Sequence, residues 1–229
     1  IYLSFRNYQN NVGSRSDLYV LNTTTESLTK ITNHAWGTDQ YLGRYLFETL
    51  GDILFYDYDD GNGLRMWAYN ISNSTTWKTG NAYAKYATDS SNPSSHVSIN
   101  DVFYFGSTDG LYGYNTTNET QWRAATSNTN TGVPYASKLI VVGDTIYFTS
   151  NAEDVYGNFL TVQLLAYDTS NDSTWLITEI GSSHWNNGVQ DTLVVMGDTL
   201  YFTAKVTGNS NQLWAHDTSN CHTWNGLTP

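Results

Sequence analysis

Gly197-Asp198-Thr199-Leu200-Tyr201-Phe202-Thr203 and Gly143-Asp144-Thr145-Ile146-Tyr147-Phe148-Thr149 differ at a single position, Leu200 against Ile146. Weaker copies are Gly51-Asp52-Ile53-Leu54-Phe55-Tyr56 and Asn100-Asp101-Val102-Phe103-Tyr104-Phe105, and the opening Ile1-Tyr2-Leu3 matches Ile146-Tyr147-Phe148 without its Gly-Asp. A second element follows each copy. It reads Leu213-Trp214-Ala215-His216-Asp217 in the last unit and Leu18-Tyr19-Val20-Leu21-Asn22 in the first. Its Asx anchors are Asn22, Asn70, Asn115, Asp168 and Asp217, spaced 45 to 53 residues apart. Seven residues past the anchor stand Trp77, Trp122, Trp175 and Trp224 in the last four units, and Thr29 in the first.

A repeat of about 40–50 residues is the propeller range. Each unit supplies four short strands: one before the Gly-Asp, one after it, one before the anchor and one beginning at Trp. Gly-Asp and Asn-Asp suit a two-residue hairpin turn. Asp-Thr-Ser-Asn suits the next turn, because short polar side chains bond the nearby backbone. A lone four-stranded sheet cannot bury both faces, so the units must stack face to face around an axis. The expected fold is all-β: a single five-bladed β-propeller over residues 1–229, with four-stranded antiparallel blades near 1–32, 43–80, 95–126, 137–180 and 191–229. The first blade lacks its inner strand, either because it has three strands or because residues precede Ile1. A chain that opens on the strand-like Ile1-Tyr2-Leu3-Ser4-Phe5 is expected to have a processed or incomplete N-terminus.

The 229 residues carry 10 Lys+Arg against 21 Asp+Glu, a net charge of −11. Charged residues are 14% of the chain, against roughly 25% in an ordinary soluble domain. Polarity comes instead from 31 Thr, 24 Asn and 21 Ser. So few basic residues argue against a nucleic-acid partner, which needs clustered cations to displace counterions, and against docking on anionic lipid. No apolar run is long enough for direct membrane insertion as a helix. With Cys221 as its one cysteine, the chain has no internal disulfide; that thiol is either free or a cross-link to another chain.

The motif Gly-Asp-Thr-Leu-Tyr-Phe followed by Gln212-Leu213-Trp214 and Asp217-Thr218 resembles the ELWxxDGT-type repeats of large extracellular prokaryotic proteins. More loosely, Asp17 to Leu21 with Leu28 to Thr32 is similar to TolB-like propeller blades. The resemblance covers the whole chain. It implies the fold and an extracellular setting, and propellers of this sort host lectins, hydrolases, scaffolds and adhesins alike.

Binding is expected in the loops that do not repeat. These are Arg6–Arg15, Asp57–Gly63, Asn151–Phe159 and Lys205–Asn211 within blades, and the blade-to-blade loops. The latter carry His34, Trp36 and Tyr41, then Tyr135, then His184, Trp185 and Asn187. An indole or phenol face beside amides suits a sugar, with C–H groups on the ring and hydroxyls on the polar groups. Trp36 and Trp185 have the alternative of wedging between blades. Trp77, Trp122, Trp175 and Trp224 are read as structural. Six N-glycosylation sequons, at Asn22, Asn70, Asn73, Asn115, Asn118 and Asn171, all fall in the turn after the third strand. No cofactor is expected. Calcium is the metal candidate, at Asp57, Asp59 and Asp60, where alternating carboxylates precede glycines, the alternative being a solvated acidic hairpin. His216, Cys221 and His222 lack a matching partner pair for a transition metal.

The expected function is binding of glycans or other surface proteins by a secreted or cell-surface propeller. The rival is a glycosylated structural subunit of a sheath, filament or surface layer, self-assembling or attached to a larger chain. A glycoside hydrolase is the third reading, with Glu48 near Arg44, and Asp191, as inner-strand carboxylates. No three blades place carboxylates at matching depth, so the chain is expected not to be an enzyme.

Overall fold

The computed structural model describes residues 2–9, 13–31, 42–59, 63–83, 96–107, 109–125, 136–153, 159–179, 188–189, 193–205 and 211–225. Among them every regular element is a strand. Blade one is the three-stranded sheet β1 (Tyr2–Gln9), β2 (Gly13–Asn22) and β3 (Ser27–Lys30). Blade two is β4 (Leu42–Leu50), β5 (Ile53–Asp59), β6 (Leu64–Asn70) and β7 (Thr75–Tyr83). Blade three is β8 (His96–Ile99), β9 (Val102–Ser107), β10 (Gly110–Asn115) and β11 (Thr120–Ala125). Blade four is β12 (Ala136–Val142), β13 (Thr145–Glu153), β14 (Phe159–Asp168) and β15 (Ser173–Glu179). Blade five has β16 (Gly188–Val189) and β17 (Val194–Met196) side by side on β18 (Thr199–Lys205), followed by β19 (Asn211–Asp217) and β20 (His222–Asn225). Pairing within each blade is antiparallel, and one parallel bridge from Val162 to Gly188 joins blades four and five. The fold is the five-bladed, all-β propeller that the repeat predicts.

Two kinds of turn repeat. The two-residue turns open on Gly51, Asn100, Gly143 and Gly197, with φ of 57°, 52°, 59° and 60°. Glycine adopts this left-handed region without steric cost, and Asn is the commonest substitute. In the second kind, the Oδ1 of the anchor accepts the N–H two residues on: Thr24, Ser72, Thr117, Ser170 and Ser219, at 2.8–2.9 Å. Four residues past the anchor the chain is left-handed again, at Glu26, Ser74, Glu119, Asp172 and Cys221. The turns are joined to each other. The N–H of Ile71, Thr116, Thr169 and Thr218 donates to the carbonyl of Asp52, Asp101, Asp144 and Asp198 at 2.8–2.9 Å. In the last three of these blades the threonine hydroxyl donates to the same oxygen at 2.9 Å.

Alternation along the strands sends one set of side chains back to the preceding blade and the other forward to the next. Four apolar seams result. Leu18 and Ile31 meet Leu54, Tyr56 and Tyr69 between blades one and two. Phe55 and Met66 meet Phe103, Phe105 and Tyr114 at the next seam. Tyr104 and Leu111 meet Ile146, Phe148 and Tyr167, and Tyr147 and Leu164 meet Leu200 and Phe202. An aromatic pair recurs at equivalent positions: Phe55 with Tyr114 at 5.7 Å, Tyr104 with Tyr167 at 5.9 Å, and Tyr147 with His216 at 5.8 Å between ring centroids. The repeated tryptophans pack at these seams: Trp77, Trp122 and Trp175 lie against the cores shared with the following blade. Trp77 Nε1 donates to the Tyr114 hydroxyl at 2.8 Å, and Trp122 makes the same bond to Tyr167.

Strands run further into the loops than expected. Asn7 pairs with Arg15, Asp57 with Met66 and Lys205 with Asn211, although Arg6–Arg15, Asp57–Gly63 and Lys205–Asn211 were expected as loops because they do not repeat. Backbone pairing outweighs weak β-propensity here.

Gly106 of β9 shows how closely blades approach. A Cβ there would lie 2.0 Å from the carbonyl oxygen of Ala136, on the innermost strand of blade four. Gly106→Ala should lower the unfolding free energy by about 2–3 kcal/mol, the scale of overpacking in a filled core. Chemical denaturation measures this, and an unchanged midpoint would show that the close approach is not kept in solution.

Candidate functional site

The innermost strands of blades two, three and four converge on a cavity of about 480 Å³, lined by Glu48, Thr49, His96, Val97, Ser98, Leu139, Ile140 and Val141. Its volume is that of a small-molecule site, and its lining is mixed: Val97, Leu139, Ile140 and Val141 on the apolar side, Glu48, Thr49, His96 and Ser98 on the polar side. Glu48 comes from β4, three residues before the Gly51 turn. His96 opens β8, four residues before the Asn100 turn. The difference in offset brings the two side chains together across the seam, with His96 Nε2 at 3.2 Å from Glu48 Oε2. The Glu48 carboxylate also accepts the N–H of Thr49 at 3.2 Å and stays 43% exposed to the cavity.

Phe103 stacks on the His96 ring, with centroids 5.7 Å apart and planes 26° apart. Burial holds the imidazole below its usual pKa, and the hydrogen bond and charge of Glu48 partly oppose this. At neutral pH the ring is therefore uncharged and donates its Nε2–H to the carboxylate. Its Nδ1 is buried without a hydrogen-bond partner among the described residues. A half-exposed carboxylate oriented by an imidazole can accept hydrogen bonds from hydroxyl or ammonium groups.

The turn face has an open groove of about 460 Å³ between the turns of blades two and three, lined by Asp52, Asn70, Asp101 and Thr116 among others, and its polar groups are largely bonded to one another. In the turns of blades four and five the anchors Asp168 and Asp217 accept from the hydroxyls and N–H groups of Ser170 and Ser219, which hold both carboxyls below the usual carboxylate range. Asn171 Nδ2 and Asn220 Nδ2 donate back to these anchors at 2.9 and 2.7 Å. The six sequon asparagines lie in or at the edge of these turns. Asn73 and Asn118 are exposed, and each Oδ1 accepts the hydroxyl of its own sequon threonine, Thr75 or Thr120, at 2.6 Å.

His34, Trp36, Tyr41, Tyr135, His184, Trp185, Asn187 and Asp191 lie outside the described residues, as does Asp60. Asp57 is fully buried within β5, opposite Met66, and Asp59 ends the same strand opposite Leu64. The acidic stretch is thus largely strand, not the hairpin loop the sequence suggests. His216 is buried with Nδ1 at 2.9 Å from Thr223 Oγ1, while His222 is exposed and stacks on Trp224. Among the described residues no three His, Cys, Asp or Glu side chains group to hold a metal ion. Glu48 was legible in the sequence as an inner-strand carboxylate. His96 was missed, because a search for matching carboxylates ignores an imidazole one offset away in the next blade.

No protein-family model matches the chain, and no curated protein sequence does. Solved structures do. This is a propeller fold shared with distant proteins. Oligogalacturonate lyase in complex with manganese is 8% identical, with a TM-score of 0.52 over 98% of this chain and 60% of that one. Oligogalacturonate lyase from Vibrio parahaemolyticus is 9% identical, with a TM-score of 0.51 over 98% and 58%. The extracellular domain of a candidate one-component system from B. thetaiotaomicron is 12% identical, with a TM-score of 0.51 over 96% and 27%. The chain thus spans under two thirds of each of these proteins. The likeness carries the fold alone and no residue. It does correct one expectation: the chain was read as not an enzyme, yet the lyases are enzymes on this architecture, so the fold does not set catalysis aside.

A buried imidazole whose folded pKa is depressed stabilises the protein above its unfolded pKa of about 6.5 and loses that contribution as pH falls below it. His216 is depressed by burial in the same way. Stability should therefore fall on acidification below about 6.5. His96→Phe should make the fall shallower without removing the share of His216. In NMR titration, Glu48→Gln should move the His96 midpoint further down; a midpoint that rises would show that the pair is not formed.

Proposed function

We propose that this chain is an extracellular or cell-surface propeller that binds glycans or other surface proteins. The observation that carries the reading is how fully the turn face is bonded within itself. On the turn face, anchors, threonines and turn carbonyls bond one another blade after blade, so few polar groups there are left to recognise a ligand. Recognition is then expected of the loops that do not repeat, whose candidates are His34, Trp36, Tyr41, Tyr135, His184, Trp185 and Asn187, and of the cavity at Glu48. Rings supply apolar faces for sugar C–H groups, and amides and the carboxylate take hydroxyls. The likeness to an extracellular domain is compatible with this setting.

A glycan-array screen tests it. The parent should bind a restricted set of glycans. Trp36→Ala and Trp185→Ala should each weaken binding at least tenfold, about 1.4 kcal/mol, if the loops bear the ligand, and Glu48→Gln should do so if the axis does. No glycan bound by the parent protein would end the glycan form of the reading.

The rival, a glycosylated structural subunit, draws on the sequons exposed in the turns. Asn73 and Asn118 are exposed, with the sequon hydroxyl of Thr75 or Thr120 bonded to the asparagine's own Oδ1, whereas the Nδ2 of Asn171 is held by Asp168. Intact-mass analysis of native material should show hexose-bearing additions lost in Asn118→Gln; a bare polypeptide mass would remove this reading of the turns.

A further inference from the structure

The cavity between the innermost strands of blades two to four carries a charge that no described neighbour cancels. Glu48 is its acidic lining residue, and none of the residues lining it is Lys or Arg. By contrast, the buried carboxylate of Asp17 is matched by Lys30, whose Nζ stands 3.0 Å away. Among the described residues Glu48 meets only the Thr49 N–H and the His96 ring, each at 3.2 Å. The ring is neutral for a geometric reason. Its Nε2 faces the carboxylate, and its Nδ1 is buried with no partner among the described residues. An imidazolium would put a second N–H at Nδ1, where nothing accepts it, and a buried donor left unmet is costly. Phe103, stacked on the ring, holds it in this orientation. The carboxylate therefore keeps its whole charge in the wall of a concave site.

Its surroundings add to the same sign of field. Leu50, the next residue along β4 from Thr49, lines the turn-face groove, together with Asp52 and Asp101. The Ser72 hydroxyl donates to Asp52, and the Thr117 hydroxyl donates to Asp101 at 3.4 Å. These donors are neutral and cancel neither charge. The lining of that groove has no Lys or Arg either. A cation is drawn along this route, and an anion is repelled.

The rest of the lining sets the kind of cation. Val97, Leu139, Ile140 and Val141 are apolar, while Thr49 and Ser98 are exposed residues with hydroxyls. A lysine side chain would use the carboxylate and the apolar wall and leave both hydroxyls to water. A sugar ring with a free amine uses all three. Resting on the glycan reading above, we propose that this cavity selects amino sugars whose amine is free. The ammonium donates to Glu48, ring hydroxyls bond Thr49 and Ser98, and sugar C–H groups lie on the apolar wall. An N-acetylated sugar binds less well because its amide carries no charge. An acidic sugar is turned away by Glu48 and the groove beyond it.

Titration calorimetry on the whole chain near neutral pH tests this with a glucosamine oligomer, its N-acetylated counterpart and a galacturonate oligomer. The free-amine oligomer should bind at least about tenfold tighter than the acetylated one, the scale of a charge-assisted against a neutral hydrogen bond. The galacturonate oligomer should bind weakest, and added salt should narrow the whole range. Glu48→Gln, which keeps the shape and removes the charge, should erase the preference for the free amine. Its melting transition is read alongside, and the comparison of sugars on the parent stands without the variant. Equal or tighter binding of the acetylated oligomer overturns the proposal and leaves the glycan reading intact. So does a free-amine preference that survives Glu48→Gln in a folded protein. A lysine-rich peptide that binds where the glucosamine oligomer does not, and weakens with Glu48→Gln, overturns it in favour of a protein partner. Silence toward all three oligomers also overturns it, and the glycan array then tells this failure from failure of the wider reading.

Discussion

Ring against ring across a seam is the contact on which this molecule depends. Phe55, Tyr104 and Tyr147 occupy the same place in successive blades, and each meets the ring that stands just before the next anchor. No blade has a core of its own. Its two faces become an interior only when neighbours cover them, so these edge-on and tilted ring pairs set both the spacing and the order of the stack. Burial leaves its mark on these groups, pushing the hydroxyls of Tyr104 and Tyr147 up to about 12. At the outer strand the indole of Trp77 adds a directional bond to Tyr114, which fixes how the blades are turned against each other. A hydrophobic contact alone would leave that rotation loose.

The polar composition has its cause on one face. Where two hairpins of a blade end side by side, the carbonyl after each two-residue turn would face only solvent or a neighbouring turn. A threonine after the anchor takes it twice in three blades, by N–H and by hydroxyl. Thr, Asn, Ser and Asp recur because this small network is rebuilt in each blade. Lysine and arginine are scarce because the network needs acceptors and short donors, not long cations.

Much of this was legible in the sequence, and for a physical reason. The anchors, the Gly-Asp turns and the tryptophans are constrained by backbone geometry or by a seam, so they repeat. Strand ends were less legible: Asn7, Asp57 and Lys205 read as loop because their stretches do not repeat, which hides the pairing partner. The axial pair was half legible. Glu48 and His96 sit at different distances from their turns, and it is the stacking of two blades, not either segment, that brings them within 3.2 Å. The exclusion of catalysis failed because it was drawn from missing motifs, whereas the same architecture supports enzymes of other families.

Among the described residues the seams join consecutive blades, and this has a consequence for how the protein comes apart. Its cooperativity is that of a short row, in which each member is held by its immediate neighbours. Damage to any one member bares an apolar face on each neighbour it was holding. The tolerance of the chain to mutation is therefore graded by distance from a seam. A lesion such as a methyl group at Gly106, between the third and fourth members, is felt by both, whereas an equal lesion in an exposed turn is felt by one.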